Sequence, residues 1–220
     1  MREILVFAAY PDDDVIGCGG SLVKYSTDNA ITVVYMTSGD AGSLTYTKEQ
    51  LAEIREAEAK KAASILGIEN LVFLRNPDGY LQYNLDNLVR LINLIRQKRP
   101  NVIFTHSNND THADHRVTNQ LVTQAVFRAA GPWFQETEGK PWMTDTILVF
   151  EVWTPLATVH YLEDVTQFMN KKLEALREHK SQIKDIRYDE WIEGLNRYRG
   201  GSTGIGKYAE AFEIIRMSHF

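Results

Sequence analysis

Short apolar runs rich in β-branched residues alternate along this chain with longer stretches in which apolar residues recur every three or four positions. That alternation is the pattern of parallel strands joined by crossover helices. Residues 4–9, 31–36, 71–74, 102–106 and 146–152 read as strands. Thr47-Lys48-Glu49-Gln50 has the form of a capping box and opens a helix with apolar positions Leu51, Ile54, Ala62 and Ile65, which ends near Gly67. Leu85, Leu88, Leu91, Ile92 and Ile95 mark a second helix, and Pro100 follows where the next strand begins. Val165, Phe168, Met169, Leu173 and Leu176 mark a further one. Core packing accounts for all of these stripes. Residues 131–144 and 189–207 read as long loops, a feature that often borders a binding site.

The 220 residues, 44% hydrophobic, suffice for one sizeable core, so one α/β domain across residues 1–220 is expected. A net charge of −5 offers no basic footprint for nucleic acid, and no apolar stretch is long enough to cross a bilayer. The single cysteine, Cys18, cannot form an internal disulfide, and the apolar opening is too short for a signal peptide, which together point to the cytoplasm. Cys18 lies between glycines with no base beside it, so it reads as a small buried side chain.

Chemistry concentrates in two segments. Tyr10-Pro11-Asp12-Asp13-Asp14 follows the first strand and leads into Gly17-Cys18-Gly19-Gly20. This is the carboxyl end of a strand, where open α/β sheets bind ligands. Three adjacent carboxylates there repel one another unless a cation or a helix N-terminus offsets the charge, and they would also repel a dinucleotide's phosphates. One aspartate would read as a helix cap; three in a row imply a further task. The second segment, Asp110-Thr111-His112-Ala113-Asp114-His115, follows the fourth strand and so reaches the same edge of the sheet. Its two histidines, three apart, together with carboxylates form a ligand set suited to zinc and related ions.

These segments resemble the motifs of the LmbE-like or PIG-L-type N-acetylglucosamine deacetylases, Ala-His-Pro-Asp-Asp-Glu with a following Gly-x-Gly-Gly, and Asp-x-His-Pro-Asp-His. Further similarities lie at residues 37–40, at Arg55-Glu56-Ala57-Glu58, at Asn76-Pro77-Asp78-Gly79, and in residues 175–182 and 208–212. The resemblance implies a single-domain, Rossmann-like three-layer α/β sandwich with a mostly parallel sheet. It also implies a metal-dependent hydrolase, using Zn2+ or another divalent ion, that cleaves the acetamide of a small amino-sugar conjugate, with association into homo-oligomers. Carried over residue by residue, it makes Asp13 and His115 metal ligands and Asp12 the general base. His112 would stabilise the oxyanion and protonate the amine, with Asp114 orienting its ring, and Arg55 and Asp78 would hold the sugar.

The chain departs from the family at Tyr10, where a histidine ligand is expected. Three readings are open: Tyr10 itself ligates, His106 replaces the missing imidazole, or the site is weakened and the protein is a carbohydrate-binding homologue with little or no catalysis. For His106 the ordinary role is that of a buried, hydrogen-bonded residue at a strand end. His160, His179 and His219 have no ligand partners at suitable spacing and read as surface or helix-capping residues. Trp133, Trp142 and Trp153 flank the last strand read, placed either to stack on a sugar or to pack inside.

Overall fold

The structure, a computed structural model, describes every residue except Asp185, His219 and Phe220, so the role read for His219 lies outside the described residues. Strands β1 (Glu3–Ala8), β2 (Ala30–Thr37), β3 (Asn70–Asn76), β4 (Val102–His106), β5 (Thr146–Phe150), β6 (Tyr161–Asp164) and β7 (Ala209–Met217) form one sheet in the order β3-β2-β1-β4-β5-β7-β6. β1 to β5 run parallel, while β7 pairs antiparallel with both β5 and β6. The helices are α1 (Asp13–Ser26), α2 (Lys48–Leu66), α3 (Leu85–Lys98), α4 (Ala113–Ala129), α5 (Met169–Leu176), α6 (Lys180–Ile183) and α7 (Tyr188–Thr203).

β1 is apolar along almost its whole length because both of its faces are covered. Ile4 and Val6 pack with Leu22 of α1, Ala59 of α2, Leu173 of α5 and Ile192 of α7. Leu5 and Phe7 point the other way, into Leu91 and Ile95 of α3 and Leu121 and Val122 of α4. The result is the three-layer sandwich that the resemblance implies. Thr47 and Gln50 make the predicted capping box, and Gly67 ends α2 in the left-handed conformation. Arg99 (φ 54°) does the same for α3 just before Pro100.

Strand order reverses between β1 and β4, which pair in the register Ile4↔Val102. Their carboxyl ends therefore lie side by side, and the crevice between them is where this architecture places ligands. Three expectations need correction. Residues 189–207 are mostly helix α7 rather than a loop, two strands beyond the five read from sequence complete the sheet, and Val165 and Phe168 precede α5 rather than belonging to it. Among the described residues no helix is long and apolar enough to cross a membrane.

Candidate functional site

The backbone leaves β1 at Ala8 and turns through Tyr10 to Asp12 into α1, presenting three acidic side chains in succession. Asp12 makes no side-chain cap bond, so capping is not what this residue is for. Instead its Oδ1 accepts from Arg55 Nη2 at 3.1 Å, both side chains being buried. Asp13 Oδ2 accepts the Tyr10 N–H at 2.8 Å. Asp14 is buried with neither oxygen hydrogen-bonded; burial, and then the charges of Asp12 and Asp13, push its pKa up to about 7. The Arg55 guanidinium thus offsets part of the repulsion in the triplet.

Asp13 faces two imidazoles from the other segment. Its Oδ2 lies 3.3 Å from His106 Nε2 and 3.4 Å from His115 Nε2, and both histidines are fully buried. One donor atom from each of Asp13, His106 and His115 lies within 4.8 Å of the others. The two rings tilt against each other with centroids 4.0 Å apart. His106 Nε2 also accepts the Ala9 N–H at 2.9 Å, so the buried, hydrogen-bonded strand-end role expected of it is met as well. Burial drives its pKa down to about 3, which keeps the ring neutral. Neither nitrogen of His115 has a hydrogen-bond partner; its Nδ1 lies 3.3 Å from Asp110 Oδ1 without reaching hydrogen-bond geometry.

Asp110 is the residue that sequence reasoning passed over. Its carboxylate accepts from the backbone N–H of His112 at 2.8 Å and of Trp153 at 3.0 Å, and it backs the His115 ring. Burial acts to raise its pKa, but His115 and these amides outweigh that effect and hold it down at about 2. The first position of the Asp-x-His-x-Asp-His segment was the available signal, since an imidazole ligand ordinarily has a carboxylate behind it.

Tyr10 does not direct its hydroxyl at Asp13 and His115. The hydroxyl donates to Asp114 Oδ2 at 2.8 Å, and burial followed by the charge of Asp78 raises the phenol well above its ordinary range. A phenolate ligand is disfavoured there. Asp114 Oδ2 also accepts the Gly79 N–H at 2.9 Å, whereas His112 Nδ1 has no partner, so the carboxylate expected to orient His112 is bonded to Tyr10 and the Gly79 loop instead. The Tyr10 ring meets His112 edge-on at 5.1 Å, with the Arg55 guanidinium 5.7 Å from its centroid. Tyr10→Phe is expected to lower kcat about tenfold by freeing Asp114, while metal content stays unchanged. Loss of the metal in that variant, measured by atomic absorption, would make Tyr10 a ligand after all.

Tyr10, Asp12, Asp13, Arg55, Asp78 and His112 line one cleft of about 280 Å³, with Trp153 at its edge. Asp78 anchors the rim, its Oδ2 accepting the Ala41 N–H at 2.8 Å. Trp153 stacks on Trp191 at 5.3 Å, whereas Trp142 packs inside through its Nε1 bond to the Pro100 carbonyl and Trp133 is exposed. A second cleft of about 460 Å³, lined by Ser43, Thr45, Tyr46 and Ser181, shares Ala41, Gly42, Gln182 and Tyr188 with the first.

His160 is exposed and accepts the Ile214 N–H, as a surface role allows. Cys18 is buried as expected. His179 is not a surface residue. It is fully buried with neither ring nitrogen bonded, and burial lowers its pKa to about 4 despite the opposing charge of Asp12. A histidine with a depressed folded pKa contributes stability that is present above its unfolded pKa of about 6.5 and is lost as pH falls through the window down to about 4. His179→Phe is therefore expected to lose roughly 3 kcal/mol less than wild type between pH 7 and pH 4. Urea unfolding at both pH values checks this, and parallel losses in the two proteins would refute it.

A family model described as PIG-L, GlcNAc-PI de-N-acetylase, matches residues 5–126, more than half of the chain and the part that carries both acidic segments. The chain belongs to the PIG-L family. A PIG-L relative, the diacetylchitobiose deacetylase of Thermococcus kodakarensis, is 28% identical over 98% of this chain and 84% of its own. The solved N,N'-diacetylchitobiose deacetylase of Pyrococcus horikoshii, in complex with an inhibitor, superposes with a TM-score of 0.89 at 27% identity, covering 97% of this chain and 84% of that one. A 4-carboxy-2-hydroxymuconate hydratase from a Pseudomonas has a TM-score of 0.84 at 23% identity, covering 98% and 96% of the two chains. That likeness bears on the fold alone, and the PIG-L fold does not by itself dictate a reaction.

Proposed function

We propose that this chain is a metal-dependent N-deacetylase that hydrolyses the acetamide of an N-acetylglucosamine-type unit in a small amino-sugar conjugate. The observation that carries this reading is the meeting of Asp13, His106 and His115, one donor atom from each within 4.8 Å, beside a cleft that Asp12 and His112 line. One carboxylate and two imidazoles are the donor set of a catalytic zinc site that keeps a position open. The buried, unpartnered nitrogens of His115 and the short, unbonded approach of both rings to Asp13 suit a cation better than a proton. His106 would stand in for the family's missing imidazole as the third residue holding the ion.

When bound, the ion supplies Lewis-acid polarisation of the acetamide and lowers the pKa of an attacking water from 15.7 toward about 7. Asp12, held by Arg55, would take the proton of the water whose oxygen adds to the acetyl carbon. His112 stabilises the charge that develops on the carbonyl oxygen. It then gives its proton to nitrogen as the C–N bond breaks, leaving acetate and a free amine. Asp110 fixes the His115 ring from behind. The adjoining cleft, with Ser43, Thr45, Tyr46, Gln182 and Lys184 on its walls, has the room and the mixed polar and apolar surface to take the remainder of the conjugate.

Zinc content of the purified protein and acetate released from diacetylchitobiose are the direct test. About one zinc per chain with acetate release is the expected result, and His106→Ala should lose both. A protein that takes up no zinc and releases no acetate would overturn this reading.

A further inference from the structure

Outside the lining of the cleft, Lys172 of α5 and Glu210 of β7 form an ion pair in which both residues are completely buried. Their partners are the two sides of a break in α1. Cys18 has non-helical angles (φ −146°, ψ 17°) in the middle of that helix, so the backbone groups flanking it lose their regular partners. Lys172 Nζ donates to the Ile16 carbonyl at 2.8 Å, and also to Asn196 Oδ1 at 2.8 Å and Glu210 Oε1 at 2.7 Å. Glu210 Oε1 accepts the Gly20 N–H at 2.8 Å, and Oε2 accepts the Ser21 N–H at 2.8 Å and the Ser21 hydroxyl at 2.6 Å. A cation thus closes the carbonyl end of the first half-helix while an anion closes the amide end of the second. Each charge sits at the helix end whose dipole favours it.

The glycines of this segment are explained by the same packing. A Cβ on Gly17 would come within 2.3 Å of Phe150, one on Gly19 within 3.2 Å of Lys172, and one on Gly20 within 2.7 Å of Val165 and 3.2 Å of Glu210. A buried ion pair rarely stabilises a fold more than apolar residues of the same volume would. What this pair supplies is a set of partners for three backbone groups that only a broken helix exposes. The half-helix it holds begins at Asp13.

We propose that Lys172 and Glu210 are positioning residues for the metal loop: by capping both sides of the break at Cys18 they set the direction in which the Asp12–Asp13 turn presents its carboxylates. Neither residue lines the cleft, so the effect passes entirely through α1. The proposal rests on the metal reading above and adds a part of the molecule that the reading does not need.

Zinc affinity by competition with a chromophoric chelator, together with kcat, KM and melting temperature, tests it on four single variants of the full chain. Glu210→Gln and Lys172→Met should lose about 10- to 100-fold in zinc affinity, as residues that orient ligands do. Their kcat should fall with it, while KM stays within about twofold of wild type. Ser21→Ala removes one bond to Glu210 and leaves the ion pair, so it stays folded and should lose about fivefold. Ile95→Ala, in the opposite core layer, is the control: it lowers the melting temperature without moving zinc affinity. Zinc affinity unchanged in Ser21→Ala and in the folded members of the charge variants, or falling only as far as in Ile95→Ala, overturns the proposal alone. A wild type that binds no zinc overturns the metal reading and the proposal with it.

Discussion

Asp13→Ala is expected to bring acetate release to background and to weaken zinc binding by more than about 100-fold, beyond what residues that merely orient ligands contribute. Asp13 Oδ2 is the atom that both imidazoles approach, at 3.3 and 3.4 Å, so without it the two rings have no anionic partner between them. The loss should be specific to the loaded protein. Zinc that binds only the native state raises the melting temperature of wild type, and that increase should vanish in the variant. Without metal the variant should melt below wild type, because it leaves the buried Tyr10 N–H without its acceptor. A zinc-dependent melting shift of wild-type size in Asp13→Ala would remove this residue from the ligand set.

Asp12→Asn should separate chemistry from metal binding. The side chain keeps its size and an oxygen to accept the Arg55 Nη2 bond, but it cannot take a proton. The expected result is a fall in kcat of about 10²- to 10⁴-fold, the usual contribution of a positioned base, with zinc content and KM retained. Turnover within about fivefold of wild type would assign the proton to another group. The neighbouring Asp14 serves as a comparison. It is fully enclosed and does not line the cleft, so Asp14→Asn should change kcat little.

Legibility from sequence followed the physics of each element. α2 is readable because a capping box, an apolar stripe and a terminal glycine agree with one another, and α3 because an apolar stripe runs up to Pro100. α7 was not, because Gly194, Gly200 and Gly201 give it the composition of a loop. Gly200 is there for close approach: a Cβ would lie 2.7 Å from the Gly206 carbonyl oxygen, so the residue marks tight packing rather than a turn. β7 is hard to read because of Glu210, a buried charge near the start of the strand whose partners Lys172, Gly20 and Ser21 come from distant parts of the chain. In the site, both acidic segments could be assigned to one edge of the sheet, since each follows a strand. What could not be read was that β1 and β4 are immediate neighbours, which is the fact that brings His106 to Asp13. The burial of His179 was equally invisible, since no local pattern distinguishes an enclosed histidine from an exposed one. At Tyr10 three readings stay open from sequence, ligation by the phenol among them, because its bond to Asp114 arises only from the tertiary fold.

The place of β7 in the sheet bears on how the molecule is made. It is the strand furthest along the chain, yet it lies between β5 and β6, which the ribosome delivers well before it. Those two strands have no common neighbour until residues 209–217 have emerged, and the carboxylate that clamps the kink of α1 arrives in the same stretch. Synthesis runs from the amino end, so a nascent or prematurely terminated polypeptide carries the acidic triplet without the carboxylate that clamps the kink of α1.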